Sequence, residues 1–152
     1  MSRLNAKQYE KFIAKPVAGG GYCIPLEEAV TGNTFRKGIS AMPTIVQRKI
    51  SGADIRIYRI GDQWFGFRLT SASLDYRQNN DVKIELLKTQ SQKIIKPLTL
   101  LLDAMKMNWA ADDFKESKNE LVFLEVNSHT MFSQFDECTK GKLCDAILDM
   151  LS

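Results

Sequence analysis

The segment from Asp113 to Asn127 constrains this chain most. It follows Ala110-Ala111, passes a polar turn at Glu116-Ser117-Lys118-Asn119, and runs on through Leu121-Val122-Phe123-Leu124-Glu125-Val126-Asn127. Two apolar stretches around a short polar turn predict a β-hairpin. Side chains two apart on a strand share a face, so Glu125 and Asn127 point the same way. With an acid on the neighbouring strand they make a hard-oxygen set of two carboxylates and one amide. Such a set suits Mg²⁺, which keeps its remaining positions for waters and substrate phosphates. Taken alone, the same pattern describes a half-buried hairpin with a stray acid. The rest of the chain decides between the two.

At 152 residues and 44 % hydrophobic content the chain is one domain's worth of ordinary globular protein. Its formal charge of +3 is too small and too evenly spread for a nucleic-acid surface, yet suits a cleft that receives phosphates. No apolar run approaches the ~18 residues of a membrane span. The polar start, Met1 to Lys7, is not a signal peptide. Cys23, Cys138 and Cys144 cannot all pair and form no Cys-x-x-Cys unit; with His129 the only histidine, a zinc site is not expected. These features predict a reduced, cytoplasmic protein with no nucleic-acid and no membrane partner.

Along the chain, Phe12 to Lys15 is a short apolar run before Pro16, which biases Lys15 towards extended geometry. Gly19-Gly20-Gly21 is a loop, 26–30 a short helix, 44–47 a strand, and Ser51-Gly52 a turn. Ile55, Ile57 and Ile60, with Arg56, Tyr58 and Arg59 between them, predict a strand exposed on one face. Gly61-Asp62 turns it into Trp64 to Leu69, a second hairpin over 54–69. Residues 71–82 are polar and predict a loop. From about Ser91 to Met107, Ile94, Leu98, Leu101, Leu102 and Met105 keep helical spacing, with Pro97 in or near the first turns. A last amphipathic helix covers 142–151, with Thr139 as its cap. Strands, a helix, a hairpin and a helix make an α+β domain.

In order, these landmarks resemble the ATP-grasp superfamily of carboxylate ligases. The likeness is to the glutamate-adding ligases of ribosomal protein and to the ligases that install ω-ester and ω-amide crosslinks in peptides. The pieces are Ala14-Lys15-Pro16 to Gly21, Gln47-Arg48-Lys49-Ile50, Asp54-Ile55-Arg56, Gly61-Asp62, Asp75-Tyr76-Arg77-Gln78-Asn79, Asp113, Glu125-Val126-Asn127 and Thr139-Lys140-Gly141. The resemblance implies an ATP-grasp fold of two small lobes with antiparallel sheets and packed helices. Residues 1–50 would belong to the small lobe, with the glycine loop and hinge. Residues 51–152 would form the large lobe, with the phosphate loop and metal hairpin. In the family ATP lies between two lobes, and its γ-phosphoryl converts a carboxylate to an acyl phosphate for attack by an amine or hydroxyl. That chemistry needs positioning and charge neutralisation more than covalent help.

The resemblance also implies roles. Lys15 would reach the phosphates, against a bland reading as a strand-end surface lysine. Gly19 to Gly21 would form a flap, although their spacing departs from the family's Gly-x-Gly. Backbone groups of Arg48 and Lys49 would meet adenine. Asp54 would position the nucleotide near the ribose, or merely pin the turn after Gly52. Arg77 and Asn79 match a phosphate-contacting Arg-x-Asn, with Arg77 the catalytic clamp on the transferring phosphoryl. Its bland reading is a surface loop with a local ion pair. Arg56 and Arg68 would support substrate binding in the same region.

For the metal, Asp113, Glu125 and Asn127 are the implied ligands. Asp113 precedes an apolar residue and lies twelve positions before the glutamate, as in the glutamate ligases; Asp112 stays in reserve, its thirteen-residue gap matching the crosslinking branch. His129 is a minor candidate for a base. The expected cofactors are ATP and Mg²⁺, with Mn²⁺ as a substitute, and the expected substrate is a peptide or amino-acid carboxylate. The chain starts shortly before Lys15, so the fold is expected to be incomplete at its N-terminus. Lys7 and Lys11 lie near the place of a second phosphate-binding lysine, but nothing marks either. An N-terminal partner domain or a homo-oligomer is the expected association. The alternative to a ligase is a nucleotide-binding or partner-supporting module that turns nothing over.

Overall fold

The computed structural model describes residues 6–17, 22–32, 35–36, 39–40, 43–78, 81–88, 90–118, 120–128 and 130–152. The chain divides into two compact units, Met1–Ile50 with Ser71–Val82, and Ser51–Thr70 with Lys83–Ser152. Residues 71–82 thus group with the first unit, whereas the sequence reading puts them in the large lobe. Contacts between this segment and the first unit include the buried Asp75 carboxylate, which accepts the backbone N–H of Cys23 at 3.1 Å.

In the first unit, helix α1 (Ala6–Tyr9) leads into strand β1 (Phe12–Pro16), followed by β2 (Ile24–Pro25), helix α2 (Leu26–Thr31), the short pair β3 (Phe35–Arg36) and β4 (Ile39–Ser40), and β5 (Thr44–Arg48). A three-stranded antiparallel sheet runs in the order β2-β1-β5. Ala14, Leu26 and Ala29 close the core between β1 and α2, with Tyr9, Phe12, Ile24 and Val30 packed around them. Residues Tyr76–Gln78 form a 3₁₀ turn within the 71–82 segment.

The second unit is built on a five-stranded antiparallel sheet. Its strands are β6 (Ala53–Ile60), β7 (Gln63–Thr70), β8 (Lys83–Leu86), β9 (Trp109–Ser117) and β10 (Glu120–Asn127), in the spatial order β10-β9-β6-β7-β8. Helix α3 (Gln92–Ala104) sends Ile95 and Leu98 against Ile55, Ile57 and Phe114 on one face. On the other face, Phe135 of α4 (Ser133–Thr139) packs with Tyr58 and Phe67, ring centroids 5.3 and 5.1 Å away. Helix α5 (Lys142–Leu151) lies against β6. Strand β6 is therefore central and covered on both sides, which corrects the expectation of one exposed face. Ile55, Ile57, Tyr58, Arg59 and Ile60 are all buried.

Local chemistry sets the ends. Ser91 caps α3, its Oγ accepting from Lys93 N–H at 3.3 Å, and Pro97 sits inside the helix. The helix ends at Ala104, short of the expected Met107. The α5 cap is chiefly Asp136 rather than Thr139: Asp136 Oδ1 accepts from Leu143 and Cys144 N–H at 3.0 and 3.1 Å, while Thr139 Oγ1 accepts from Leu143 at 3.4 Å. A carboxylate suits the positive end of a helix better than a hydroxyl.

Gly52, at the entry to β6, has φ +142°, and a Cβ there would lie 1.8 Å from the Glu116 carbonyl oxygen. Gly52→Ala should destabilise the protein by about 2 kcal/mol, since backbone strain and a backbone clash must both be relieved. Urea denaturation measures it; an unchanged midpoint would show that β9 yields at no cost.

Candidate functional site

The site follows from strand parity. Across the sheet Arg56 pairs with Asp113, and Asp113 with Glu125; Ala111 pairs with Asn127. Residues opposite one another in a ladder share a face. Arg56, Asp113, Glu125 and Asn127 therefore stand on one face, that of Tyr58 and Phe67. Asp112 stands on the other, between Ile57 and Val126 in register.

A bulge creates this arrangement. Phe123 pairs with Phe114, but Glu125 pairs with Asp113, so Leu124 is an extra residue in β10. It inverts the alternation: Phe123 meets Phe114 (centroids 5.5 Å) towards the α3 face, while Glu125, two residues on, faces the opposite way. An unbulged ladder would set Glu125 opposite Asp112 instead. The bulge is thus what separates the two aspartates kept open by the sequence.

Asp113 is the hub. Arg56 Nε and NH2 donate to its Oδ1 and Oδ2 at 2.8 and 2.9 Å, and Asn127 Nδ2 donates to Oδ2 at 2.7 Å. The Arg56 guanidinium lies 5.5 Å over the Phe135 ring. Nearby, the Tyr58 hydroxyl donates to the Met131 carbonyl at 2.8 Å. Burial pushes that hydroxyl up against the lowering influence of Arg56.

Asp112 has the opposite environment. Its side chain is fully buried, and neither oxygen has a hydrogen-bond partner among the described residues. Burial first, and Asp113 second, push its carboxyl up to about 7, with Arg59 pulling the other way. Arg59 itself is paired with Asp103 at 2.5 Å.

The remaining candidates divide. Asp54 is paired with Lys115 at 2.8 Å, and Lys115 also donates to the Gly52 carbonyl at 3.3 Å, so this pair ties the turn to β9. Arg68 is paired with Glu116 at 2.6 Å. It lies opposite Ile55 in the ladder, on the face away from Arg56, so the two arginines do not enter one region as expected. In the first unit, Lys15 is half-buried on β1. Phe12 pairs with Arg48 and Lys49 N–H donates to the Lys11 carbonyl at 2.8 Å. Backbone groups of Arg48 therefore point away from β1, along the outer edge of β5, while the Lys49 amide is already used.

Arg77 forms the local ion pair. Its Nε and NH2 reach Asp75 at 2.8 and 2.5 Å, its own backbone N–H adds a third bond, and the guanidinium lies 5.7 Å from the Tyr22 ring. Burial raises the Asp75 carboxyl, but hydrogen bonds from Arg77 and Cys23 outweigh it and hold it below its usual range. Gly19 to Gly21, Asn79 and His129 lie outside the described residues. The Asp75–Arg77 pair is the local ion pair that the sequence offered as the bland alternative for this loop, whereas Lys115 and Tyr22 were not singled out. Matching parity on neighbouring strands could have paired Lys115 with Asp54, but only once the register was known.

Among the described residues no cluster of three or more His, Cys, Asp or Glu side chains forms. The hard donors that share one sheet face are the Asp113 and Glu125 carboxylates, opposite each other in register, and the Asn127 amide, bonded to Asp113. By donor chemistry they fit Mg²⁺, which takes few protein ligands and keeps the rest for phosphate and water.

Solved structures match the chain along nearly all its length. The ATP-grasp ligase PsnB complexed with minimal precursor is 25 % identical, with TM-score 0.72 over 97 % of this chain and 50 % of that one. The macrocyclase MdnC bound with precursor peptide MdnA, from Microcystis aeruginosa MRC, is 18 % identical, with TM-score 0.69 over 96 % and 50 %. D-alanine–D-alanine ligase from Bacillus anthracis complexed with ATP is 16 % identical, with TM-score 0.59 over 99 % and 56 %. The chain thus spans about half the length of the structures it matches. No protein-family model and no curated protein matches its sequence.

Proposed function

On the ATP-grasp fold that this chain carries, we propose that it is the nucleotide- and metal-binding part of a ligase acting on peptide or amino-acid carboxylates. The γ-phosphoryl of ATP passes to a carboxylate oxygen and ADP leaves. An amine or hydroxyl then attacks the acyl phosphate and expels inorganic phosphate. The observation that carries this reading is the convergence of Asp113, Glu125 and Asn127 on one sheet face through the Leu124 bulge. A peptide substrate is favoured by the neighbours: PsnB and MdnC were solved with precursor peptides.

Asp113, Glu125 and Asn127 would hold Mg²⁺, or Mn²⁺ through the same donors; bound there, the ion supplies neutralisation of phosphate charge. Lys15, Asp54, Arg77 and Asn79, with the backbone at Arg48 and Lys49, are the proposed nucleotide contacts. Asp75 holds the Arg77 fork in a fixed orientation, which is what a clamp on a transferring phosphoryl needs. We read the unit with the glycine run as the small lobe, the unit with the hairpin as the large lobe, and the protein as cytoplasmic. A partner domain or a second copy would complete the enzyme.

A second reading, nucleotide binding without turnover, follows if the Arg77 fork stays on Asp75, where Nε and NH2 are both engaged, instead of reaching a phosphoryl. Thermal unfolding with MgATP tests both. A ligand that binds only the folded state stabilises it, by about 2.7 kcal/mol at a hundred times Kd. The melting temperature should climb with MgATP, and ADP release should follow when a peptide carrying carboxylate and amine groups is added. Binding without ADP release for any such peptide would favour the second reading. No shift at millimolar MgATP would sink both.

A further inference from the structure

The fork of Arg56 and a divalent cation compete for the same two oxygens. Both carboxylate oxygens of Asp113 accept from Arg56, at 2.8 and 2.9 Å, and Oδ2 accepts also from Asn127 at 2.7 Å. Arg56 is not a loose surface cation. Its side chain is 13 % exposed, it is seated over Phe135, and it comes from the central strand. Held there, the guanidinium repels a doubly charged ion a few ångströms away, and the repulsion is strong where solvent is largely excluded. The repulsion outweighs what a fixed Asp113 orientation contributes, which is of the order of one hydrogen bond.

We propose that Arg56 is a built-in counter-ion that keeps the Asp113 site from binding free divalent cations, so that the metal enters only with the nucleotide. An anionic triphosphate reverses the balance. It compensates the charge of Arg56 and brings oxygen ligands of its own, so cation and guanidinium no longer oppose each other. Arg56 is then a positioning residue for the metal site rather than a substrate contact. The inference rests on the metal assignment proposed above, but concerns a different property of the site.

The test is Mn²⁺ binding, read by equilibrium dialysis as Mn²⁺ retained on the protein above a protein-free control, with and without AMPPNP. The parent chain should bind Mn²⁺ alone at least about tenfold more weakly than Mn²⁺ with AMPPNP; equal affinities would overturn the proposal. Arg56→Gln should raise affinity for Mn²⁺ alone by about tenfold, as expected for removing a cation beside the site. The gain should vanish in Arg56→Gln combined with Asp113→Asn. An unchanged or lower affinity in Arg56→Gln would overturn the proposal and leave Arg56 as a plain anchor for Asp113. A gain that survives Asp113→Asn would also overturn it. Should Arg56→Gln not fold, Arg56→Met keeps an apolar stem over Phe135 and carries the same expectation. A parent that binds no Mn²⁺ even with AMPPNP would sink the functional reading along with this one. A parent that does, with Arg56→Gln no better for Mn²⁺ alone, would sink this one only.

Discussion

At pH 8 with EDTA present, Asp112→Asn should be more stable than the parent by about 3 kcal/mol, the largest gain expected from a single conservative change. The Asp112 carboxylate is fully buried beside the Ile55, Ile57 and Phe114 core, without a hydrogen-bond partner among the described residues. Its carboxyl moves from 3.8 to about 7, through burial and the adjacent Asp113. The folded state therefore holds the proton more tightly than the unfolded chain. Between those two values the unfolded state ionises while the folded state does not. The parent should accordingly lose about 1.4 kcal/mol of stability per pH unit as pH rises from about 4 to about 7. The total approaches ~4 kcal/mol, and an amide without a partner costs back about 1 kcal/mol of that gain. Urea unfolding at pH 5 and pH 8 checks it. The gap between variant and parent should widen with pH; a gap that is the same at both would show that packing, not charge, is responsible.

Asp113→Asn should weaken MgATP binding by about a hundred-fold, or 2.7 kcal/mol, and abolish the rise in melting temperature at MgATP concentrations that saturate the parent. Glu125→Gln should act in the same direction. Asp112→Asn should leave MgATP affinity within a few-fold, because Asp112 lies on the opposite face of β9. The three variants together read the hairpin register in solution. If Asp112→Asn removed the response and Asp113→Asn did not, the bulge at Leu124 would be misplaced.

Much of this was legible from residues alone. The order of apolar and polar segments predicted both hairpins, the helix begun by Ser91 and the final helix, because local periodicity and turn residues settle those elements. The likeness of ordered short motifs to ATP-grasp ligases was legible too, and solved structures match the chain as that fold. Helix α4 was not legible, since Phe135 is one large apolar residue in a polar segment and acquires meaning only against Tyr58 and Phe67.

What the sequence determined by itself was which donors exist: two acids, a glutamate and an asparagine within one hairpin, spaced so that Glu125 and Asn127 share a face. Only the tertiary structure decided which acid joins them. Strand pairing fixes side-chain direction with period two, and one extra residue at Leu124 reverses that direction for everything after it. The same pairing set Arg56 beside Asp113 and Arg68 on the far side, contacts between strands that no local pattern encodes. Burial did the rest, leaving adjacent aspartates chemically unlike: Asp113 is held by a guanidinium and an amide, while Asp112 faces the core.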